Sequence, residues 1–219
     1  TGFGTAAMTR TNTSDAEFAR QAQLNGARDS FNTGVDSNLG LQVSYKANDW
    51  LSFTGQGLVS KHITDEFGAE LTWAFAKMKA SDNLSVRVGR MGIPVYMISD
   101  YQNVGYSNTF IRPPVEMYSQ VPLTYVEGAD AIYQMDLGDG SLSAQFAYGR
   151  TETKGAGNAY TAKFKDLMGL NLVYDNGPFT VRFGHIRTKF SVDDSASLNA
   201  VVGGLTKFGF TDAANALTI

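Results

Sequence analysis

The stretch RVGRMGIPVYMISDYQNVGYSNTFIRPPVEMYSQVPLTYVE, from Arg87 to Glu127, differs from the rest of the chain and decides its interpretation. Four of the five prolines of the chain lie here, namely Pro94, Pro113, Pro114 and Pro122. Because proline lacks the donor that a central strand needs, this stretch is not sheet interior. It also holds many large apolar side chains, which are Tyr96, Met97, Ile98, Tyr101, Tyr106, Phe110, Ile111, Met117 and Tyr118. We therefore predict a wall of strands, with residues 91–126 folded as a long loop into the space that the wall encloses.

The composition favours a β-protein and excludes several functional classes. Charged residues make up 18% of the 219 residues, below the usual quarter, whereas glycine occurs 23 times and phenylalanine 14 times. This profile is typical of an all-β protein with many turns and also of an outer-membrane barrel. The formal net charge of −3 gives no electrostatic case for nucleic-acid binding. The chain has no cysteine, which excludes disulfides, thiol catalysis and thiolate metal sites.

The sequence shows no conventional membrane or export segment. It has no run of about 18 apolar residues that would predict a transmembrane helix. No charged segment followed by an apolar one starts at Thr1, so we expect that any signal peptide has been removed. Neither observation argues against a membrane, because the strands of a barrel alternate and escape such searches.

Strict alternation of apolar and polar residues predicts an antiparallel all-β fold. In DSNLGLQVSYKAN, Leu39, Leu41, Val43 and Tyr45 alternate with small or polar residues. In AELTWAFAKMK, Leu71, Trp73 and Phe75 are predicted to share a face. Similar segments occupy 50–62, 84–90, 129–137, 141–149, 166–174 and 178–186, with a weaker one at 2–12. We therefore expect about nine strands in this chain.

The connections between these strands alternate in length. Tight turns are predicted at Asn48-Asp49, Ser81–Asn83, Gly138–Gly140 and Asp175–Gly177. Long loops are predicted at 13–35, 63–67, 91–126, 154–163 and 188–219, the last with a helix near 195–202. Short turns at one end and long loops at the other are typical of bacterial outer-membrane barrels.

Aromatic residues flank the tight turns, namely Tyr45, Trp50, Tyr174 and Phe179. This is where an interfacial girdle of a barrel would lie. The alternative is a soluble sandwich in which they form cross-strand pairs. The apolar faces carry almost no charge and the polar faces are small and neutral, which favours a water-filled lumen over a soluble surface rich in lysine and glutamate.

The ionic residues of the polar faces are then candidates for the lining of a pore. On the strands they are Lys46, Glu70, Arg87, Asp130, Asp136 and Arg182. The long loop adds Asp100, Arg112 and Glu116. Basic wall residues opposite acidic loop residues would set up a transverse field that selects ions. The alternative is that these charges pair and only pin the loop, above all for Arg112 and Glu116.

Arg90 does not fit this scheme directly. Alternation from Val88 points it towards the apolar side, which is costly in the middle of a bilayer. Either a bulge at Gly89 turns Arg90 to the inside, or the residue lies at the rim.

Several segments together resemble proteobacterial porin-like outer-membrane proteins. They are DSNLGLQVSY, NDWLSFTGQ, ELTWAFAKMK, SVRVGRMGIPVYMISDYQNVGY, the IRPP and EMY segment, and VEGAD, and they fall within residues 36–150. The resemblance implies a sixteen-stranded antiparallel barrel, often a trimer, whose third external loop folds inward as a constriction. It further implies an integral protein of the bacterial outer membrane through which ions and small hydrophilic solutes diffuse passively.

The number of strands departs from that plan. Bacterial single-chain barrels have an even number of strands, whereas this chain predicts about nine. Its last segment, TDAANALTI, has neither an amphipathic strand nor a terminal aromatic residue. We therefore expect residues 1–219 to be one barrel domain that is the N-terminal portion of a longer protein.

Other functions have weaker signals. The two histidines, His62 and His185, lie near strand ends without spaced partners, and no Gly-x-Ser-x-Gly motif is present. The glycine-rich GFGTAA segment is not followed by a helix pattern, which disfavours a phosphate site. We predict neither an enzyme nor a cofactor. The alternative function is a non-transporting barrel that docks a partner protein through 13–35 and 188–219.

Overall fold

The computed structural model describes residues 1–121 and 123–217. Nine strands form one sheet in which each strand pairs antiparallel with its neighbours in sequence. They are β1 (Gly2–Thr5), β2 (Asn38–Lys46), β3 (Leu51–Lys61), β4 (Phe67–Lys79), β5 (Leu84–Gly92), β6 (Tyr125–Leu137), β7 (Gly140–Lys154), β8 (Thr161–Asn176) and β9 (Phe179–Asp193). Three helices are α1 (Val115–Tyr118), α2 (Ala196–Lys207) and α3 (Thr211–Ala216). Pro122 of the long loop and the last two residues of TDAANALTI lie outside the described residues.

The predicted all-β antiparallel fold with about nine strands is confirmed. In the described part of the chain β1 and β9 are the edges and do not pair with each other, so the sheet is open. None of the described helices is both long enough and apolar enough to cross a bilayer.

Connections of two lengths alternate along the sheet. Residues 47–50, 80–83, 138–139 and 177–178 form short turns, whereas 6–37, 62–66, 93–124 and 155–160 form longer loops. Because consecutive strands run antiparallel, all the short turns lie at one end of the sheet and the longer loops at the other. We refer to 6–37 as the β1–β2 loop and to 93–124 as the β5–β6 loop.

Two of the short turns are built in the same way from related sequences. In KANDWLS the Asn48 side chain accepts hydrogen bonds from the backbone of Trp50 and Leu51, at 3.0 and 2.8 Å. In KASDNLS the hydroxyl of Ser81 takes the same place. Short polar side chains that accept from the backbone in this way stabilise a turn and set the register of the hairpin.

The pairing register separates an apolar face from a polar face. The apolar face contains large side chains that are exposed, for example Leu41 (63%), Phe53 (46%) and Phe146 (51%). The polar face contains Gln42, Gln56, Arg87, Asp130, Gln145 and Arg182. Leu41, Phe53 and Phe146 therefore do not form a closed interior, as they would in a soluble sandwich.

Strand β4 contains a bulge that the alternation pattern did not predict. Gly57 pairs with Leu71 and the adjacent Gln56 pairs with Trp73, so Thr72 is an extra residue. The Thr72 hydroxyl donates to the side chain of Gln56 at 2.8 Å. The predicted common face of Leu71, Trp73 and Phe75 is therefore wrong. Leu71 lies on the apolar face, whereas Trp73 and Phe75 lie on the polar face.

A small core holds the root of the β5–β6 loop against the polar face. Met91, Ile93, Leu123, Val126, Ala162, Phe164 and Leu167 are its buried members. Phe75 of β4, Val95 of the loop and Ile186 of β9 pack against them. The apolar side chains at both ends of the loop are thus buried on the sheet, which fixes where the loop leaves and rejoins the wall.

The prediction that 188–219 is mainly loop is wrong. Strand β9 continues to Asp193 and helices α2 and α3 follow. The expected helix near 195–202 is present as the first part of α2, and the hydroxyl of Ser195 caps it by accepting from the Leu198 backbone at 3.2 Å.

Candidate functional site on the polar face

The β5–β6 loop folds over the polar face of the sheet. The carbonyl of Pro94 accepts a hydrogen bond from the Arg182 guanidinium of β9. Within the loop, the rings of Tyr96 and Tyr118 lie 4.5 Å apart, and the Tyr118 hydroxyl accepts from the Ile98 backbone at 3.3 Å. The loop is therefore an ordered structure attached to β9, and its own aromatic residues hold its two arms together.

A buried ion pair joins β5 to β6 beneath this loop. The Nε atom of Arg87 donates to Asp130 at 3.0 Å, and Gln145 of β7 donates to the same carboxylate at 2.7 Å. The Asp130 side chain is fully buried, and the Arg87 guanidinium lies over the ring of Phe75 at 5.2 Å. Asp130 has its charge and its hydrogen bonds satisfied by these partners, so its field at a distance is largely cancelled by that of Arg87.

Arg182 and Asp100 have opposite charges and are close enough to interact electrostatically, but among the described residues they form no hydrogen bond or ion pair with each other. Arg182 donates to the neutral side chain of Asn171 at 2.6 Å and makes no ion pair within the described residues. The pKa of Asp100 is raised from its ordinary value, mainly because protein atoms enclose the carboxyl group. The positive charges of Arg87 and Arg182 lower it, and the negative charge of Asp130 raises it. Asp100 nevertheless remains open to solvent, and no hydrogen bond or ion pair to its side chain is found in the described part of the chain. The wall and the loop thus present opposite charges to the same space.

Arg112 joins the two longest loops. Its guanidinium binds the buried carboxylate of Asp36 and lies over the ring of Phe18 at 4.3 Å. The Thr9 hydroxyl also donates to Asp36, at 2.9 Å. A second link runs from Arg20 to Asn103 at 3.2 Å. The β1–β2 loop therefore packs against the β5–β6 loop.

The β1–β2 loop is partly buried by this packing. Its residues 13–35 were predicted to form a surface loop, but Gln23, Ala27 and Val35 are buried. Gln23 donates to the carbonyls of Val35 and Lys61, at 3.0 and 2.9 Å, which attaches the loop to the end of β3.

The remaining predicted residues are dispersed. Lys46 pairs with Asp49 in an exposed short turn at 2.7 Å, and Asp136 pairs in register with Ser141 near another short turn. Glu70 contacts His62 at 3.3 Å near the long-loop end. Glu116 is exposed on α1 and makes no ion pair among the described residues. Lys46, Asp136 and Glu116 do not converge with Arg87, Arg182 and Asp100, whereas Glu70 lines the same cavity as Asp100.

Arg90 lies where the apolar row of β5 ends. Pairing with β4 continues without a shift from Lys79↔Ser85 to Ala74↔Arg90, so no bulge at Gly89 turns it inward. Its guanidinium binds Glu127 and lies 4.1 Å from the centre of the Tyr125 ring. The Arg90 charge is thus satisfied at the end of the apolar face.

A serine, a histidine and a glutamate meet at the end of β3 but lack catalytic geometry. The Nε2 atom of His62 lies 3.2 Å from the Ser60 hydroxyl and 3.3 Å from Glu70. A triad needs the nucleophile and the carboxylate on opposite ring nitrogens. Here the Ser60 hydroxyl also lies 3.4 Å from Nδ1, so it is nearly equidistant from the two nitrogens and in line with the lone pair of neither, a position unsuited to proton transfer. No group of three or more metal-binding side chains is found in the described ranges.

Sequence patterns missed several residues of this face. Trp73 and Phe75 were assigned to the other side because nothing in the sequence marks the bulge at Thr72. Arg20 and Asp36 were missed because they lie in a polar segment with no periodicity. The pairing of Asp36 with Arg112 spans 76 positions and has no local signal.

Comparisons with known proteins add little. No protein-family model matches the chain, and no curated protein matches it. A solved structure that it resembles is the loop L8 deletion mutant of OmpT, an outer membrane protein of Vibrio cholerae, with 11% identity and a TM-score of 0.32. The alignment covers 76% of this chain and spans 65% of the length of that chain. A likeness of this size does not establish a common fold.

Proposed function

We propose that this chain forms part of the wall of a water-filled pore in a bacterial outer membrane. The apolar face meets lipid, the polar face lines a passage for ions and small hydrophilic solutes, and the β5–β6 loop narrows it. The observation that supports this most directly is the exposed apolar face. Side chains as large as Tyr45, Phe146, Val181 and Phe183 are between 51% and 65% exposed, with polar side chains on the opposite face.

Such a surface suits lipid far better than water. Soluble monomers rarely expose contiguous apolar patches larger than a few hundred Å². Strands β6 to β9 are 13 to 16 residues long, compared with about 5 or 6 in typical globular proteins. A tilted strand of about 9 to 11 residues already crosses the hydrocarbon layer. Strands of this length therefore extend past the hydrocarbon layer, and the loops that join them lie outside it.

The arrangement of charge supports an aqueous passage. Arg87, Asp130 and Arg182 lie on the polar face, and the loop brings Asp100 opposite them. Ionic side chains within the membrane belong on a surface that faces water or other protein. The proposal requires both edges, β1 and β9, to be paired in the bilayer, because unpaired backbone groups are costly in lipid.

Shortening the β5–β6 loop tests the proposal. Residues 99–116 are replaced by a short Gly-Ser linker, which keeps Ile93, Val95 and Leu123 at the root. In planar-bilayer recordings we expect discrete ohmic conductance from the parent protein and a larger unitary conductance from the variant, because the narrowest part of the passage is removed.

The matched control inserts the same linker into the short turn at 138–139, at the opposite end of the sheet, and is expected to leave the conductance unchanged. An unaltered conductance after removal of 99–116 would place the loop outside the passage.

The alternative function is a barrel that docks a partner protein. One observation favours it, since Tyr106 and Phe110 on the β5–β6 loop are 79% and 75% exposed. Aromatic side chains of this kind are enriched at protein interfaces. A folded protein that remains silent in the bilayer would support docking over conduction.

A further inference from the structure

A cavity of ≈ 130 Å³ lies on the polar face beside the β5–β6 loop. Three segments enclose it, namely the ends of β3 and β4, the β1–β2 loop and the β5–β6 loop. Its lining includes the side chains of Arg20, Glu70, Trp73 and Asp100. Well-formed cavities with a few converging polar groups are the usual sites for small ligands.

One side of the cavity has a guanidinium without an ionic partner. Arg20 donates to the neutral Asn103, and it makes no ion pair within residues 1–121 and 123–217. The nearby carboxylate of Asp36 is already bound by Arg112. Burial lowers the pKa of Arg20, and the positive charge of Arg112 adds to this effect, while Asp36 opposes it. A ligand carboxylate would satisfy the Arg20 charge and its free donors.

The other side of the cavity suits a cation. A Cβ atom at Gly92 would lie 2.7 Å from Oδ1 of Asp100 and 3.1 Å from Nε1 of Trp73, so both groups face the same small space. The carboxylate attracts an ammonium group through charge and hydrogen bonding, and the indole of Trp73 forms the wall of the space beside it. Glu70 adds a second carboxylate, whose ion-pair contact in the described part of the chain is with His62.

We propose that this cavity binds a small zwitterionic solute of the amino-acid class. Its carboxylate meets Arg20 and its ammonium group meets Asp100 and Trp73. A simple anion would face the carboxylates of Asp100 and Glu70, and a simple cation would leave Arg20 unpaired, so each is disfavoured relative to the zwitterion. The inference rests on the proposed function, in that the solute reaches the cavity along the polar face.

The test uses fluorescence of the full chain in detergent. The chain has two tryptophans, and replacing the turn residue by Trp50→Phe leaves Trp73 as the reporter. The probes are β-alanine, propanoate and propylammonium, which are similar in size and differ in charge. We expect β-alanine to change the Trp73 emission saturably and to bind at least tenfold more tightly than either singly charged probe.

Variants assign the two ends of the site. Asp100→Asn should abolish the preference for β-alanine over propanoate, and Arg20→Gln should abolish the preference over propylammonium. Gly92→Ala should weaken binding without changing charge, because the added methyl group enters the space beside Trp73. Lys46→Gln, in a distant turn, is the control and should leave all three probes unchanged. Since Arg20 contacts another loop, Arg20→Lys and the β-sheet circular dichroism check that folding is intact.

The outcomes separate this inference from the proposed function. Equal binding of propanoate and β-alanine, or no saturable change with any probe, would overturn the zwitterion site while bilayer conductance stands. Binding of β-alanine by a protein that forms no conducting pore would overturn the proposed function while the site stands.

Discussion

At the scale of single residues, the way each charge is paired decides what it contributes to the proposed passage. The positive charge of Arg87 is paired with the buried carboxylate of Asp130, and Lys46 pairs with Asp49 in an exposed turn. Arg182 and Asp100 have no ion pair in the parts of the chain that the structure describes. The field across the gap therefore depends on Arg182 and Asp100, together with the part of the Arg87 charge that Asp130 does not offset. The sequence identified both as ionic residues of this surface, but it treated Arg87 and Arg182 as equivalent because pairing is not visible in alternation.

Replacing Arg182 should change ion selectivity. In Arg182→Gln the positive charge of the wall is lost, so we expect the reversal potential in a salt gradient to shift towards cation selectivity. The amide of glutamine retains a donor for Asn171 or the Pro94 carbonyl, which limits disturbance of the loop. Lys46→Gln removes the same charge far from the gap and should leave the reversal potential unchanged. An identical shift in both variants would mean that only net charge matters.

Arg87 is unsuitable for the same measurement. Its removal would leave Asp130 charged, buried and without its cation, which costs about 3–5 kcal/mol in known cases. Loss of folded protein would then be confused with a change in selectivity.

At the scale of elements, alternation predicted the faces of most strands correctly and failed in β4. A period of two assigns every side chain relative to its neighbours, so one inserted residue reverses all those that follow. The extra Thr72 does this to Trp73 and Phe75. Threonine is an ordinary strand residue, so the sequence carries no sign of the bulge. The extent of β9 was missed for a different reason, because polar residues such as Thr188 and Ser191 are frequent in loops as well as strands.

The pairing of β4 with β5 depends on a glycine. Gly89 has φ of 132°, and a Cβ atom there would overlap the Ala74 carbonyl and lie 2.9 Å from Cα of Phe75. Both are backbone atoms of β4, which cannot move without separating the strands. We expect Gly89→Ala to lower the free energy of unfolding by about 1–3 kcal/mol, measured by urea titration in lipid vesicles.

Gly55→Ala provides the matched control for this effect. Gly55 lies in the neighbouring β3, and nothing lies within 4 Å of a Cβ atom added there. The control should therefore be nearly neutral. Equal stability of the two variants would show that β4 and β5 tolerate a side chain at Gly89.

At the scale of the whole molecule, the structure joins two loops that the sequence treated separately. The β5–β6 loop was expected to fold inward on the basis of its prolines and apolar residues, and it does lie over the polar face. Residues 13–35 of the β1–β2 loop were expected to form a long surface loop and, in the alternative function, a docking surface. Instead Arg112 holds it through Asp36, a contact between residues that are 76 positions apart. Local patterns report periodicity and turns, whereas such a contact depends on how distant parts of the sheet curve towards each other.

This link implies that the two loops move together. Thr9 and Phe18 of the β1–β2 loop also contact the Asp36–Arg112 pair, so the pair connects most of that loop to the narrow part of the proposed passage. Because the Asp36 carboxylate is buried, the guanidinium of Arg112 has to stay against it, which fixes the two loops relative to each other. Its rupture should release both loops without affecting the strands.

Arg112→Gln combined with Asp36→Asn, so that no buried carboxylate is left charged, should therefore produce larger and more frequent current fluctuations in bilayer recordings, together with faster tryptic cleavage of the β1–β2 loop at Arg20 or Arg28. The sheet should remain folded, because the strands do not depend on this contact. Arg10→Gln is the matched control, since Arg10 lies over the ring of Phe31 at 5.6 Å within the β1–β2 loop and does not bind the β5–β6 loop. If the double variant conducts as steadily as the parent protein and resists trypsin equally, Asn103 and the buried contacts of Gln23 are sufficient to hold the loops, and the ion pair has no part in it.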